Sequence, residues 1–161
     1  MDVSLNQTLD ADLIREIVIH PDIWGRISDG VKPEDYYPSC DSRNCWLVVI
    51  MDEDIAGIIY LNVDTSCSLS FHPYLKEQYR AHGREMINEF FKWFLSEVPK
   101  SHNKLNAIIP SCFKSAVNFA RKVGFIQEGL CRESYRKDGQ LYDRVMFGLT
   151  RTEIEGLIWA A

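Results

Sequence analysis

The sequence predicts a single mixed α/β domain over residues 1–161, on three observations. The chain has 161 residues, of which 46% are hydrophobic and 25% charged, the balance of one globular domain with a packed core. Apolar runs rich in β-branched residues are joined in pairs by short acidic or Asp-Gly turns, which is typical of β-hairpins. Residues 84–98 instead place apolar side chains at helical spacing, which predicts a helix laid against a sheet.

The N-terminal part of the chain predicts one strand and one helix. "MDVSLN" is typical of a short strand, and Asp10 is placed to cap the helix that follows. This helix buries four apolar residues at helical spacing: Leu13, Ile14, Ile17 and Val18. Residues 21–44 are richer in Pro, Gly, Asp and Tyr, so we expect short helical turns and loop there.

The middle of the chain predicts an antiparallel meander. Residues 45–64 contain two β-branched runs joined by the acidic turn at 52–54. Residues 67–71, "CSLSF", alternate as a third strand, which we expect to end at His72-Pro73. The long helix then begins near residue 84, after a loop that carries a basic cluster.

The C-terminal part predicts a strand, a helix, a hairpin and a last short helix. Residues 105–110 form a buried strand, Ser111 is placed to cap the next helix, and Gly124 suits its left-handed end. The two strands after it are joined by the turn at 137–140, which contains Asp-Gly. A capping box from Thr152 to Glu155 predicts the final helix.

Charge and cysteine content argue against several classes of protein. The formal charge of −5 and pI near 5.4 disfavour a nucleic-acid-binding surface. The N-terminus lacks a basic segment followed by an apolar run, and no stretch is long enough to span a membrane, so we expect a cytoplasmic protein. The five cysteines include no C-x-x-C pair, so neither a disulfide framework nor a metal site is predicted.

The basic cluster at the start of the long helix is a candidate anion site. A helix N-terminus presents unpaired N–H groups and the positive end of its dipole. Gly83 leaves room for a phosphate to approach these groups, and Arg80 and Arg84 add positive charge. The alternative is a solvated helix start, because arginines in a first turn often serve no ligand.

Two motifs resemble the GNAT superfamily of N-acetyltransferases. "RAHGRE", residues 80–85, is similar to the acetyl-CoA pyrophosphate loop, in which Gln or Arg is followed by two residues, Gly, one residue, and Gly or Ala. Residues 108–129, followed by the hairpin ending in "YDRVMFGL", resemble the C-terminal half of the family. The resemblance covers the element order from roughly residue 45 to 150. It is nearest in pattern to the ribosomal-protein N-terminal acetyltransferase branch and to GNAT proteins of phage genomes.

The resemblance implies a GNAT fold, in which a mixed, mostly antiparallel sheet is flanked by helices and acetyl-CoA lies where two central strands splay apart. It implies transfer of the acetyl group from acetyl-CoA to a primary amine by direct attack in a ternary complex, without a metal. The residues implied to contact acetyl-CoA are Ser70, Phe71, His72, Arg80, Ala81, His82, Gly83, Arg84, Glu85 and Phe113.

Three positions depart from the family pattern. Glu85 stands where a small residue is usual, Phe113 where Asn is common, and Ala120 where a Tyr commonly protonates the departing thiolate. His72 is the first candidate for the base because it ends the third strand beside the expected cleft and imidazole titrates near neutrality. A role in the His-Pro turn is its alternative. Glu133 is the second candidate, with a solvated hairpin carboxylate as its alternative.

The function has alternatives too. The same fold could serve as a catalytically silent module that binds CoA or a host protein. The amine acceptor is open between a protein N-terminus, a lysine side chain and a small amine, and the chain is expected to be a monomer or a homodimer. In this family the loop-rich segment that holds Trp24, Tyr36 and Tyr37 often walls the acceptor site, whereas plain core packing is the other reading of these rings.

Overall fold

The structure, a computed structural model, describes residues 1–27 and 30–160. The strands are β1 (Val3–Thr8), β2 (Asn44–Met51), β3 (Asp54–Thr65), β4 (Ser68–Leu75), β5 (Lys104–Pro110), β6 (Ile126–Lys137) and β7 (Gln140–Thr150). The α-helices are α1 (Ala11–Val18), α2 (Pro21–Ile27), α3 (Gly83–Glu97), α4 (Lys114–Lys122) and α5 (Arg151–Ala160). Short 3₁₀ helices cover Pro33–Asp35 and Glu77–His82. The expected turns and loop over residues 21–44 are confirmed except at 28 and 29, which lie outside the described residues.

The seven strands form one sheet in the order β1-β2-β3-β4-β5-β7-β6. Every neighbouring pair is antiparallel except β4 and β5, which run parallel, so the predicted mixed α/β fold is confirmed. Both predicted hairpins form on turns with positive φ. Asp52 and Glu53 have φ of 47° and 76°, and Asp138 and Gly139 have φ of 50° and 76°, the conformation that matches the twist of paired strands.

Apolar side chains cover both faces of the sheet. One face packs against α3, α4 and α5. The largest fully buried side chains of this layer include Phe90, Phe91 and Phe94 of α3. The other face packs against α1 and α2, where Ile14 and Ile23 are fully buried. The sheet is therefore a central layer between two groups of helices.

Arg151, at the start of α5, is a buried cation that joins this helix to the end of α3. Its guanidinium donates hydrogen bonds to the carbonyl oxygens of Val98, Pro99 and His102, at 3.0 Å each for Nη2, and lies 4.6 Å from the ring centroid of Phe94. These contacts tie the start of α5 to the end of α3 and to the loop that follows it.

The predicted start of the first helix is confirmed. The side chain of Asp10 accepts a hydrogen bond from the N–H of Leu13 at 3.1 Å. Gly124 has φ of 108° after α4, as expected for a left-handed helix end.

Two other predicted caps were wrong by a few residues. The N–H of Ser111 donates to the carbonyl of Asp143 at 2.8 Å, which continues the pairing of β5 with β7, and α4 begins only at Lys114. The capping box lies two residues earlier than predicted, because Thr150 and Glu153 exchange hydrogen bonds of 2.8 and 3.2 Å.

The predicted end of the third strand was also wrong. β4 continues through Pro73 to Leu75, and Ile59 of β3 remains opposite Pro73 in the register. Pro73 is tolerated in an inner strand because β4 no longer pairs with β5 at this point.

In the part of the chain that the structure describes, no helix is long and apolar enough to cross a membrane.

Candidate active site

The parallel contact between β4 and β5 is short, and a cleft opens where it ends. The register contains only three pairs, the last being Ser70 with Asn106. Beyond this point the two strands diverge, and residues from both line a cleft of about 550 Å³, including Phe71 and His72 on β4 and Ile108 on β5. Backbone groups of β4 on this side have no strand partner, so they are available to a bound molecule.

The N-terminus of α3 lies at the edge of this cleft. The 3₁₀ helix Glu77–His82 runs directly into α3, and Gly83 lines the cleft. Gly83 has an ordinary helical φ of −59°, so conformation does not require glycine there. A Cβ would lie 3.0 Å from the Cζ of Phe119 on α4, so the missing side chain lets the two helices pack closely.

Glu85 places a carboxylate in the exposed first turn of α3. Its Oε1 lies 3.5 Å from Nδ1 of His82, the residue that precedes the helix. A hydrogen bond from its own backbone N–H, followed by the contact with His82, lowers the pKa of Glu85. The departure from the family pattern at this position therefore puts an anion beside the N–H groups to which a phosphate would bind.

Arg80 joins the end of β4 to α2. Its Nη2 donates to the carbonyl of Asp22 at 2.7 Å, and its Nε donates to the carbonyl of Leu75 at 3.4 Å. It also lines the cleft beside Arg26. Burial, and then the positive charge of Arg80, lower the pKa of Arg26, while Glu77 opposes this effect. The sequence predicted a cation here, and the structure shows a pair.

Phe113 lines the cleft and lies close to two cations. The guanidinium of Arg26 lies 5.9 Å from its ring centroid and the Nζ of Lys137 lies 5.1 Å from it. Lys137 also donates to the carbonyl of Gly25 at 3.3 Å, so the last hairpin contacts α2. The edge of Tyr135 meets the same phenyl ring, with centroids 5.9 Å apart.

His72 lies in the middle of β4 and faces β3. Its ring stacks on Tyr60 with centroids 5.4 Å apart, and its Nε2 lies 3.3 Å from Oδ1 of Asn62. An imidazole that donates Nε2–H to Asn62 keeps an acceptor lone pair on Nδ1. Burial lowers the pKa of His72 to about 4, so the expectation that it titrates near neutrality was wrong.

The remaining predicted contact residues are not all brought to the cleft. Ser70 lies at the last pair with β5, and Ala81 and Arg84 are exposed on the surface around the start of α3. Glu133 lies at an irregularity in β6, with φ of 50° and its backbone N–H bonded to the carboxylate of Asp143 at 2.8 Å. Its exposed side chain is not among the residues that line the cleft.

A second, smaller cavity of about 190 Å³ lies on the α1–α2 side of the sheet. We call it the aromatic cavity, because its walls include Tyr36, Tyr37, Trp46, Tyr60 and Tyr74. Trp24, the third aromatic residue predicted near an acceptor, meets Tyr36 edge to face with centroids 5.4 Å apart.

Sequence reasoning missed Tyr74, Arg26 and Lys137. Tyr74 lines both the cleft and the aromatic cavity. Strand alternation would have placed it on the same face as His72 if the strand had been extended past Pro73. Arg26 and Lys137 are 111 positions apart in the sequence, and no local pattern could have joined them at Phe113.

Comparisons with known proteins bear on this architecture. No family model matches the chain. The SPbeta prophage-derived uncharacterized N-acetyltransferase YokL of Bacillus subtilis (strain 168) is 31% identical over 114 residues, which cover 68% of this chain and 63% of YokL. The match therefore spans less than two thirds of that relative's length.

Solved structures share the fold over almost the whole chain. A spermidine N-acetyltransferase from Vibrio cholerae in complex with CoA and spermine has a TM-score of 0.70 at 16% identity, covering 95% of this chain and 98% of that one. The protein smu.2055 from Streptococcus mutans UA159 has a TM-score of 0.72 at 19% identity, covering 94% and 99%.

The chain has the GNAT fold. The fold that the resemblance implied is thereby confirmed, and the prophage origin of YokL agrees with the phage-like pattern. The GNAT fold also accounts for the separation of β4 from β5, which the resemblance predicted as splayed strands.

We predict that His72 makes the folded domain sensitive to mild acid. The unfolded chain binds a proton at His72 below pH 6.5, whereas the folded chain does so only near pH 4. Stability therefore falls as pH falls through this window. At about 1.36 kcal/mol for each pH unit, and allowing for the partly exposed ring, the loss is about 1 to 3 kcal/mol.

Urea unfolding at pH 7 and pH 4.5 measures this loss for the wild type and for His72→Gln. The other three histidines are present in both proteins, so their effects cancel. The wild type should lose more stability than the variant over this range. Parallel pH curves for the two proteins would contradict the low pKa of His72.

Proposed function

We propose that this chain is an acetyl-CoA-dependent N-acetyltransferase that acetylates a primary amine by direct attack in a ternary complex. The observation that carries the proposal is the separation of β4 from β5 after Ser70 and Asn106, which opens the cleft and leads it to the start of α3. The naming of YokL as an N-acetyltransferase and the CoA and spermine bound by a protein of the same fold support it.

The cleft has the chemistry that acetyl-CoA needs. Phe71, Ile108 and Phe125 give it an apolar lining suited to the pantetheine arm. Arg26 and Lys122 line the same cleft, and the N–H groups at the start of α3 lie at its edge, so phosphates meet positive charge and donors. Arg80 already donates to two carbonyls, so its contribution to phosphate binding is mainly its charge.

The proposed reaction forms one bond and breaks one. The neutral amine nitrogen attacks the thioester carbonyl carbon, and the C–S bond of the resulting tetrahedral intermediate then breaks. The amine loses one proton and the thiolate of CoA gains one, which leaves the amide and free CoA. Unpaired backbone N–H groups of β4 near Phe71 are placed to stabilise the carbonyl oxygen as it becomes negative.

His72 is the candidate base, because it lines the cleft and is neutral at physiological pH. Its low pKa is sufficient, since attack on the carbonyl makes the amine nitrogen far more acidic. Ala120 lines the cleft where a tyrosine acid is common, so the thiolate leaves without that donor. A thiol with pKa near 8.5 is a good leaving group, and water can protonate it.

A silent CoA-binding module remains the second candidate function, and the methyl side chain of Ala120 in the cleft is the observation that favours it. The two candidates differ in one result, which is amine-dependent release of free CoA thiol. Acetyl-CoA binding without such release from a panel of diamines, lysine peptides and free peptide N-termini would select the module.

We predict that the rate follows the titration of the acceptor and not that of His72. The pKa of His72 near 4 leaves it neutral above about pH 5, so the rising limb of kcat/KM should lie near the pKa of the amine. That limb should move from about pH 8 for a peptide N-terminus to about pH 10 for a lysine side chain. His72→Asn should lower kcat roughly 100-fold while CoA affinity stays within twofold. A limb fixed near pH 6.5 for both acceptors, and lost in His72→Asn, would contradict this assignment.

We also predict that Glu85 weakens CoA binding. Its carboxylate lies at the positive end of the α3 dipole, where it repels a pyrophosphate, so Glu85→Gln should bind CoA about two- to fivefold more tightly. Glu97→Gln removes the same charge from the last residue of α3 and should have no such effect. Calorimetry measures the CoA affinity of both variants at low salt and at 0.5 M salt. The gain in affinity of Glu85→Gln should be smaller at 0.5 M salt, because dissolved ions screen the repulsion between the carboxylate and the pyrophosphate. Equal affinities for wild type and Glu85→Gln would place the pyrophosphate elsewhere.

The role of Gly83 is tested through its neighbour. The three atoms nearest to a Cβ on Gly83 would all belong to Phe119, which lines the cleft. Gly83→Ala should therefore push the phenyl ring and lower CoA affinity, while stability changes by less than about 1 kcal/mol because the ring is only half-buried and can shift. Adding Phe119→Leu should restore CoA affinity. If affinity stays low in the folded double variant, the glycine serves the phosphate directly.

A further inference from the structure

The aromatic cavity is built from three strands and one loop. Trp46, Tyr60 and His72 are direct neighbours across β2, β3 and β4, and their rings stack with centroids 4.2 and 5.4 Å apart. This row connects the candidate base in the cleft to the wall of the aromatic cavity. Tyr74, two residues beyond His72, lines both spaces, so the cleft and the cavity adjoin at this side chain.

The loop side of the cavity is held in place from α1. Arg15 donates from Nε to the carbonyl of Tyr36 and from Nη2 to that of Pro33, each at 3.0 Å. Its guanidinium also lies 5.4 Å from the ring centroid of Tyr37. The ring of Tyr37 thus already contacts one cation. The two hydrogen bonds from Arg15 hold the loop that carries Tyr36 and Tyr37 in place.

The uncharged aromatic lining of the cavity favours a cation. Among the described residues, none of the side chains that line it is charged. Asn44 accepts a hydrogen bond from the hydroxyl of Tyr60 and donates one of 2.6 Å to the carboxylate of Asp41. Aromatic faces attract cations through their quadrupoles, and the negative charge of Asp41 is set behind Tyr60. Burial, followed by the Asp41 charge, raises the pKa of Tyr60, so this hydroxyl stays neutral and polarised toward Asn44.

We propose that the aromatic cavity binds an alkylammonium group of the acceptor, set back from the amine that is acetylated. This rests on the proposed function, because it treats the cavity as part of the acceptor site. A volume of about 190 Å³ admits one ammonium with its short alkyl substituents but not a folded peptide segment. The acceptor class is therefore a small molecule with two amino groups, one neutral at the thioester and one charged among the rings.

The test uses the full chain and a matched pair of probes, choline and 3,3-dimethylbutan-1-ol. The two molecules have the same shape, but only choline is charged, and neither carries a primary amine. Calorimetry should show that choline binds at least about fivefold more tightly than the alcohol, the range of a cation–π contact. Choline should also inhibit acetylation of a diamine competitively with the amine. Equal binding of the two probes would overturn the proposal.

Ring variants identify the site. Tyr37 is 73% exposed, so Tyr37→Leu should fold normally, and Tyr37→Phe keeps the aromatic face without the hydroxyl. The preference for choline should fall about threefold or more in Tyr37→Leu and persist in Tyr37→Phe, with the same contrast between Tyr36→Leu and Tyr36→Phe. Unchanged preference in both leucine variants would overturn the assignment of the cavity.

The two proposals fail separately. If choline binds with this pattern but no amine releases CoA thiol, the acetyltransferase proposal fails and the cation site stands. If amines are acetylated while choline neither binds nor inhibits, the cation site fails and the acetyltransferase proposal stands.

Discussion

The separation of β4 from β5 is the constraint on which the other features of the site depend. Long parallel strands normally continue to pair, and three pairs are few for an interior contact. Each strand is instead held along its outer edge. β4 pairs with β3 as far as Leu75, and β5 pairs with β7 as far as Pro110 opposite Arg144. Pro73 removes one donor from β4 in the region where the two strands diverge. The inner edges can therefore separate without loss of the sheet, and their free backbone groups face the cleft.

Positively charged side chains lie around the cleft although the protein as a whole is negatively charged. The chain carries −5 overall, yet Arg26 and Lys137 lie close to Phe113, and Arg80 lines the same cleft as Arg26. Burial, and then the positive charge of Arg80, lower the pKa of Arg26, and Glu77 opposes this effect. An anionic ligand in the cleft relieves the repulsion between the two arginines, so the cluster favours phosphate groups more strongly than a single arginine would. Glu85 acts in the opposite sense at the start of α3, and the balance of the two sets the affinity of the site for an anion.

Local patterns predicted the elements, but contacts between distant residues decided the site. Asp10, the acidic turn at 52–54 and the Asp-Gly turn at 138–139 are local signals, and the structure agrees with each of them. The end of β4 was predicted wrongly because Pro73 normally stops an inner strand, and only the separation from β5 permits it. The pKa of His72 was misjudged because burial is a tertiary property. The aromatic cavity draws its walls from three strands and a loop, so strand register had to be known before Trp46, Tyr60 and Tyr74 could be placed together.

The aromatic cavity also bears on how an amine can be held without being inactivated. A carboxylate facing the reacting nitrogen would raise the pKa of that amine and keep it protonated, and a protonated amine has no lone pair for attack. The described wall of the aromatic cavity carries no carboxylate, and Asp41 acts only through Asn44 and the hydroxyl of Tyr60. His72, neutral and stacked on Tyr60, adds no positive charge that would repel a cation on the other side of this ring. A charged nitrogen among the rings and a neutral nitrogen at the thioester are thus compatible, because the two environments adjoin at Tyr74 but differ in charge.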